Sequence, residues 1–274
     1  MSASSRQFAI APGARAVERA RPILVYALVG LLGAAAFLYP FFVPATALPS
    51  EAHSGDAPLV AALVGAMVVV AVMLEVRRGT MNGATVAILG MLSAVAGLLR
   101  LIDLPGGGSG IFFLVVLAGA AFGPRFGFLL GLCAMAVSAV LTGGIGPWLP
   151  FQMLALGWMG AGAGWLGVLT ARLRPVWEVA LLATYGWVWG FVYGAIMNLW
   201  FWPFVTGSGS TAWRPGLGFA GTVQHYWSFY VATSFAWDAA GALCNALLIL
   251  LTGVALMRTL RRFAHRLEPA VELV

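Results

Sequence analysis

Residues 111–142 read IFFLVVLAGAAFGPRFGFLLGLCAMAVSAVLT, and whether they make one membrane helix or two decides the fold. Read as one kinked helix, they bury Arg125 in the middle of the bilayer. An isolated charge there is costly and normally marks a partnered or cavity-lining site. That reading also sends the basic turn at Arg172 and Arg174 and the basic C-terminal tail to the far side of the membrane. Read as two spans, 111–123 and 126–142, they place Arg125 in the turn between them. The first of the two is then only about 20 Å long by helical rise, against a hydrocarbon core of about 30 Å. It spans only if neighbouring helices cover its ends.

Working outward, the chain offers further apolar stretches at 22–43, 58–75, 82–102, 151–171, 177–203 and 227–257, which makes eight spans. Hydrophobic residues are 61% of the 274, charged residues 9%, and the mean hydropathy is +0.94. A soluble domain of this size does not keep so little charge on its surface. All 15 basic side chains are Arg. Thirteen of them fall on one side of the eight-span arrangement: Arg6, Arg15, Arg19, Arg21, Arg77, Arg78, Arg125, Arg172, Arg174, Arg258, Arg261, Arg262 and Arg266. Only Arg100 and Arg214 fall on the other. The excess of positive charge assigns its side to the cytoplasm, so both termini are expected inside a cytoplasmic membrane. The net charge of +6 reflects this topology and attraction to anionic lipid at the inner leaflet. The Arg residues form no aromatic-interleaved patch, so the charge gives no argument for nucleic acid.

The N-terminus imitates a secretory signal: an Arg-rich segment, an apolar run, then Ala45-Thr46-Ala47. The apolar run is about twice the usual signal core, and it reads as a retained signal-anchor helix. Cys133 and Cys244 lie inside apolar spans and read as small buried hydrophobes. The chain divides into 1–80, a cytoplasmic N-terminus and a helical hairpin whose spans are read as free of buried charge. A six-helix core at 81–262 and a cytoplasmic tail at 263–274 follow. The hairpin's outer loop, 44–57, carries Pro44, Pro49, Glu51 and Asp56. The core is richer in Gly and shows no internal repeat of the kind that builds secondary transporters.

Three core spans carry stripes of small residues: Ala87, Gly90, Ser93, Ala94 and Gly97 in the third; Gly157, Gly160, Gly164 and Gly167 in the sixth; Gly186, Gly190 and Gly194, continued by Asn198, in the seventh. Small residues at helical spacing let backbones approach, which drives helix association in lipid. The sixth and seventh stripes read as packing within the bundle. The third can face outward, onto another subunit.

Among groups that carry chemistry, Asp238 stands out inside the last span. Read as one helix, Trp227, Val231, Ser234, Asp238, Gly241 and Asn245 share a face. An intramembrane carboxylate lines a cavity or finds a partner, and a structural hydrogen bond to a neighbouring helix accounts for it equally well. The outer face gathers rings and amides: Trp148 and Gln152 at the turn 143–152, Asn198 and Trp202 at the end of the seventh span, and His225, Trp227 and Tyr230 at the start of the eighth. Such rings form an interfacial belt, or, beside amides and flexible loops, the walls of a site for a ring-bearing molecule. There is no HExxH, Walker A or GxSxG motif and no carboxylate pair, and three isolated His do not make a metal site by spacing. No catalytic residue, cofactor or metal is expected, and energy from ATP must come from a partner.

The segment Leu141–Ala155 (LTGGIGPWLPFQMLA), the Gly-rich sixth span, and Tyr193–Pro203 (YGAIMNLWFWP) together resemble the substrate-binding S components of energy-coupling factor (ECF) transporters. More narrowly the chain resembles an actinobacterial group associated with cobalamin-type uptake. The resemblance covers about 81–262. It implies a six-helix S-component bundle, here preceded by the two-helix hairpin, that binds a vitamin, foremost cobalamin or a precursor, on the extracellular side. It implies association with a membrane T component and two ATPase subunits. By the same resemblance Ala87, Gly90, Ser93, Ala94 and Gly97 contact the T component, and the ligand sits under the loops at 103–110 and 143–150 among the last three helices. The candidate binding residues are then Trp148, Gln152, Asn198, Trp202, His225, Trp227, Tyr230 and, deeper, Asp238. A stand-alone secondary transporter, which calls for more than one buried titratable group, and a non-transport membrane assembly protein are the alternatives.

Overall fold

Most of the helices follow the apolar runs, because in hydrocarbon the backbone satisfies its own hydrogen bonds only as helix or closed barrel; α8 starts ahead of its run. The computed structural model describes residues 12–42, 52–102, 104, 108–205 and 209–267. Among these are nine α-helices and no strand: α1 (Pro12–Leu38), α2 (Ala57–Arg77), α3 (Gly83–Leu99), α4 (Gly110–Phe122), α5 (Pro124–Thr142), α6 (Leu149–Thr170), α7 (Pro175–Phe201), α8 (Gly218–Thr233) and α9 (Phe235–Leu267). Five are long and apolar enough to cross a membrane, namely α2, α5, α6, α7 with the turn of 3₁₀-helix after it, and α9. Three shorter apolar helices, at Val25–Phe41, Gly83–Leu99 and Gly110–Phe122, complete the eight that the sequence predicts. The protein is an all-α, multi-pass membrane protein. The Ala45-Thr46-Ala47 site and most of the 44–57 loop lie outside the described residues.

The doubtful short span is the centre of the bundle. In α4, Ile111 and Leu114 through Ala120 are buried, and the helix packs on α5, α6 and α9. Its N-terminal end is buried, and its last two residues, Ala121 and Phe122, are half-buried. Gly123, at φ +94°, makes the turn into α5 in a conformation that only glycine adopts without strain.

The sixth-span stripe serves packing, as expected. A Cβ at Gly160 would collide with the Gly127 carbonyl of α5, and one at Gly127 with the Gly160 carbonyl. Gly164 and Gly167 meet the backbones of Pro124 and Ala120 in the same way. The seventh-span stripe receives α9. Gly190 faces Ala242 at 2.5 Å from its notional Cβ, Gly186 faces Ile249 and Asn245, and Gly194 leaves its space to the Asp238 carboxylate.

Two expectations are corrected. The last span is not continuous over 227–257. The chain leaves helical geometry at Ser234 (φ −124°, ψ −28°), and the membrane helix is α9. The Ser234 hydroxyl and the Asn198 amide bond each other, at 2.8 Å to Nδ2 and 3.0 Å to Oδ1, which anchors the break to α7. Trp227 and Val231 therefore do not share a face with Asp238 and Asn245. Second, the hairpin does carry a buried charge. Glu75, near the end of α2, is 2% exposed and accepts from Arg125 (3.4 Å), Tyr26 (3.3 Å) and Thr80. The same end of the bundle buries Glu178, which is paired with Arg261 of α9 (2.9 Å) and with Thr170 (3.3 Å). We call this the basic end; the opposite end, where Trp148, Trp202 and Trp213 lie, is the aromatic end.

The hairpin is packed onto the core through α6. Leu154 and Trp158 lie about where a Cβ on Gly33 would stand, at 2.9 and 3.1 Å, and Phe37 meets Phe151 edge-on at 4.9 Å between centroids. His53, just before α2, is fully buried between Phe151, Trp200 and Phe204. It adopts φ +56° and is hydrogen-bonded to Asp56 at 2.8 Å. Burial holds its imidazole below the ordinary value, with the Asp56 carboxylate opposing that shift.

Candidate functional site

At the aromatic end α3, α4, α5, α6, α7 and α9 enclose a cavity of about 410 Å³, within the range typical of small-molecule sites. Its walls come from the ends and middles of these helices for local reasons. Arg100 caps α3 at its C-terminus, Ser109 precedes α4, Gln152 lies in the first turn of α6 and Asp238 in the first turn of α9. Phe112, Tyr193 and Trp237 supply flat apolar surface, and Gly190, Gly241 and Ala242 keep the α7–α9 wall thin. Asn245 closes the inner part; its Nδ2 donates to the Gly186 carbonyl at 2.9 Å.

Of the eight residues singled out for binding, Gln152 and Asp238 line this cavity and the other six do not. Trp202 is fully buried and its indole N–H donates to the Thr211 carbonyl at 2.7 Å. His225 is bonded to the Ala212 carbonyl at 2.8 Å. These two contacts tie the 209–217 loop to α8 and to the end of α7. Asn198 is engaged with Ser234, as above. Tyr230 reaches the Phe191 carbonyl at 3.5 Å and neighbours the Asp238 carboxylate. Trp148 is partly exposed and folds back on its own turn, donating to the Gly144 carbonyl at 3.3 Å. Trp227 is 58% exposed, in the manner of an interfacial aromatic.

The third-span stripe divides. Ala87, Gly90 and Ala94 are exposed, and a Cβ on Gly90 would meet nothing within 4 Å. Ser93 and Gly97 instead face inward. Ser93 is 1% exposed, and a Cβ on Gly97 would lie 3.0 Å from Val137 and 3.2 Å from the Ser138 nitrogen of α5. The five small residues thus cover two faces of α3, and only three point away from the bundle.

Sequence reasoning missed Arg100 as a cavity residue. A basic side chain at a helix end ordinarily extends toward water. Here its guanidinium turns inward to the Met135 sulfur at 2.7 Å. Nothing local signals that, since Met135 is far away in the chain. A second cleft, of about 390 Å³ between α1, α5 and α6, is lined by Tyr26, Phe128, Trp158 and Trp165 with Arg125. Its one charged group is already paired with Glu75. No cluster of three or more His, Cys, Asp or Glu among the described residues has the arrangement of a metal site.

Comparison with curated proteins and with solved structures returns no match. The family described as "ECF transporter, substrate-specific component" matches residues 84–253, more than half of the chain and the whole of the bundle from α3 into α9. The members are substrate-binding membrane subunits that work with a T component and ATPases, and they are not themselves enzymes. By this match the chain belongs to the family of ECF transporter substrate-specific components.

Proposed function

We propose that this S component binds a compact, ring-bearing vitamin in the cavity at the aromatic end and delivers it inward when coupled to a T component and two ATPase subunits. The observation that carries the reading is the cavity itself. Apolar rings, a carboxylate, two amides and a guanidinium converge on about 410 Å³ inside the family-matched segment, and such a combination suits a small ligand held by area and oriented by a few polar groups. The division of Arg residues supports an orientation with the aromatic end outside and both termini in the cytoplasm. The exposed Ala87, Gly90 and Ala94 on α3 support a close helix contact there with the T component. The buried carboxylates at the basic end are held by Arg125 and Arg261, which speaks against a proton relay and hence against a stand-alone secondary transporter.

Cobalamin, foremost by resemblance, is larger than this half-open cavity of about 410 Å³ and would extend out of it among the loops, so compact vitamins come first. The test is a thermal-shift screen of the purified full chain across vitamins, cobalamin included. A ligand at a thousandfold excess over its Kd raises apparent stability by about 4 kcal/mol. Gly241→Leu, which fills the thin wall, should abolish the shift. A vitamin whose shift survives Gly241→Leu binds elsewhere, and the assignment of the cavity then fails. Orientation is read separately: Gly79→Cys should label only after permeabilisation, and labelling in intact cells reverses the topology.

A further inference from the structure

Three of the cavity's side chains bury an oxygen that has no hydrogen-bond partner: Ser109 Oγ, Asp238 Oδ2 and Asn245 Oδ1. Buried polar groups are almost always satisfied, and leaving one unpaired costs roughly 1–3 kcal/mol. Three such oxygens belong to residues that line one cavity. The orientation of Asn245, which is 3% exposed, is fixed by chemistry: its Nδ2 must face the Gly186 carbonyl, so Oδ1 is left as the unpaired acceptor. Asp238 lies two helical turns away on the same helix, about 10 Å by rise; its carboxylate packs over Gly194 and is bonded by the Tyr230 hydroxyl, which leaves Oδ2 as the second unpaired acceptor. Both want donors. Arg100 is the opposite case. Its guanidinium is drawn to a depth seven residues from the end of α5, and its hydrogen bond there is to a thioether, a weak acceptor. Among the described residues it forms no salt bridge. A planar cation lining the cavity without a strong acceptor bonded to it among the described residues is matched by a carboxylate or phosphate.

We infer that the cavity is complementary to a ligand that is anionic at one end and rich in hydrogen-bond donors at the other, the anion facing Arg100 and the donors facing Asp238 and Asn245. The inference rests on the proposed function and narrows it: neutral vitamins and those charged at one end only are disfavoured. Phe112 and Tyr193 pack edge-on at 4.9 Å and leave a flat wall for the ring that joins the two ends.

The test uses the full-length chain in detergent and three matched probes. 4-Guanidinobenzoate carries both ends, methyl 4-guanidinobenzoate lacks the anion, and 4-tert-butylbenzoate lacks the donors. The two-ended probe should bind at least tenfold tighter than either relative. Arg100→Gln should erase its advantage over the ester, and Asp238→Asn should reduce its advantage over the tert-butyl compound, while Arg100→Lys keeps the preference for an anion. The ranking on the unmodified chain decides even where a variant does not fold. Equal affinity for the three probes, or binding of none, overturns the inference. If none binds yet a neutral vitamin gives a shift that Gly241→Leu removes, the inference falls and the proposed function stands. If no vitamin binds either, both fall.

Discussion

The divided stripe on α3 separates docking from folding by a single pair of substitutions three residues apart. Gly97→Leu places a branched side chain where even a Cβ lies 3.0 Å from Val137, 3.2 Å from the Ser138 nitrogen and 3.4 Å from Leu141. The first and third neighbours are side chains of α5, of which Leu141 is half-exposed and can give way, and the second is backbone. Overpacking of this kind costs about 1–3 kcal/mol, and the upper part of that range applies where a helix must move. Ala94→Leu lies on the exposed face beside Met91 and Leu98, where a change costs at most about 0.5 kcal/mol of the isolated protein's stability. In a membrane the same change on a contact face forces two helices apart, because close approach of small residues is what holds them. Loss of even about 1.4 kcal/mol weakens association tenfold. Unfolding in mixed micelles measures the first effect; co-purification with the T component and ATPases measures the second. The expected pattern is a destabilised Gly97→Leu, and an Ala94→Leu that folds and binds ligand normally but loses its partners. An Ala94→Leu that retains the full complex refutes α3 as the contact helix, and a Gly97→Leu of unchanged stability refutes the packing.

Arg261→Ala should destabilise the protein by about 3 kcal/mol in the same unfolding assay, since it leaves Glu178 buried with only Thr170 as a partner and breaking a buried pair costs roughly 3–5 kcal/mol. Glu178→Leu combined with Arg261→Leu should recover most of that, and a double variant as unstable as the single one counts against the pairing. The hairpin loop should be acid-sensitive. The buried His53 favours its neutral form, so its contribution is complete above the ordinary value of about 6.5 and declines as pH falls below it, by at most about 1.4 kcal/mol per pH unit. His53→Asn, which tolerates the left-handed backbone, should flatten that part of the profile between about pH 5 and 7; an unchanged slope in the variant places the acid sensitivity elsewhere.

How much was legible follows from which forces are local. The apolar runs and the small-residue stripes are periodic along the chain, so they locate the eight apolar helices, five of them long enough to cross a membrane, and the glycine seams of α6 and α7. Asp238 stood out because a carboxylate in an apolar run is conspicuous wherever it ends up. What the sequence did not reveal depends on partners remote in the chain. Glu75 meets Arg125 fifty residues on, and Glu178 meets Arg261 eighty-three residues on, so neither reads as a neutralised charge from its own span. The break at Ser234 is tied to Asn198, 36 residues earlier; nothing in the local apolar period announces it, and an unbroken helix wrongly gathers Trp227 and Asp238 on one face. The outer rings were conspicuous by type, yet Trp202 and His225 are bound to loop carbonyls, while Arg100, conspicuous only as a charge at a helix end, turns inward. Local hydrophobicity determined which segments form long apolar helices. Which polar groups remain unpaired inside the bundle was decided by tertiary packing alone, because a hydrogen bond is satisfied or left open by whatever the rest of the fold brings within about 3 Å of it.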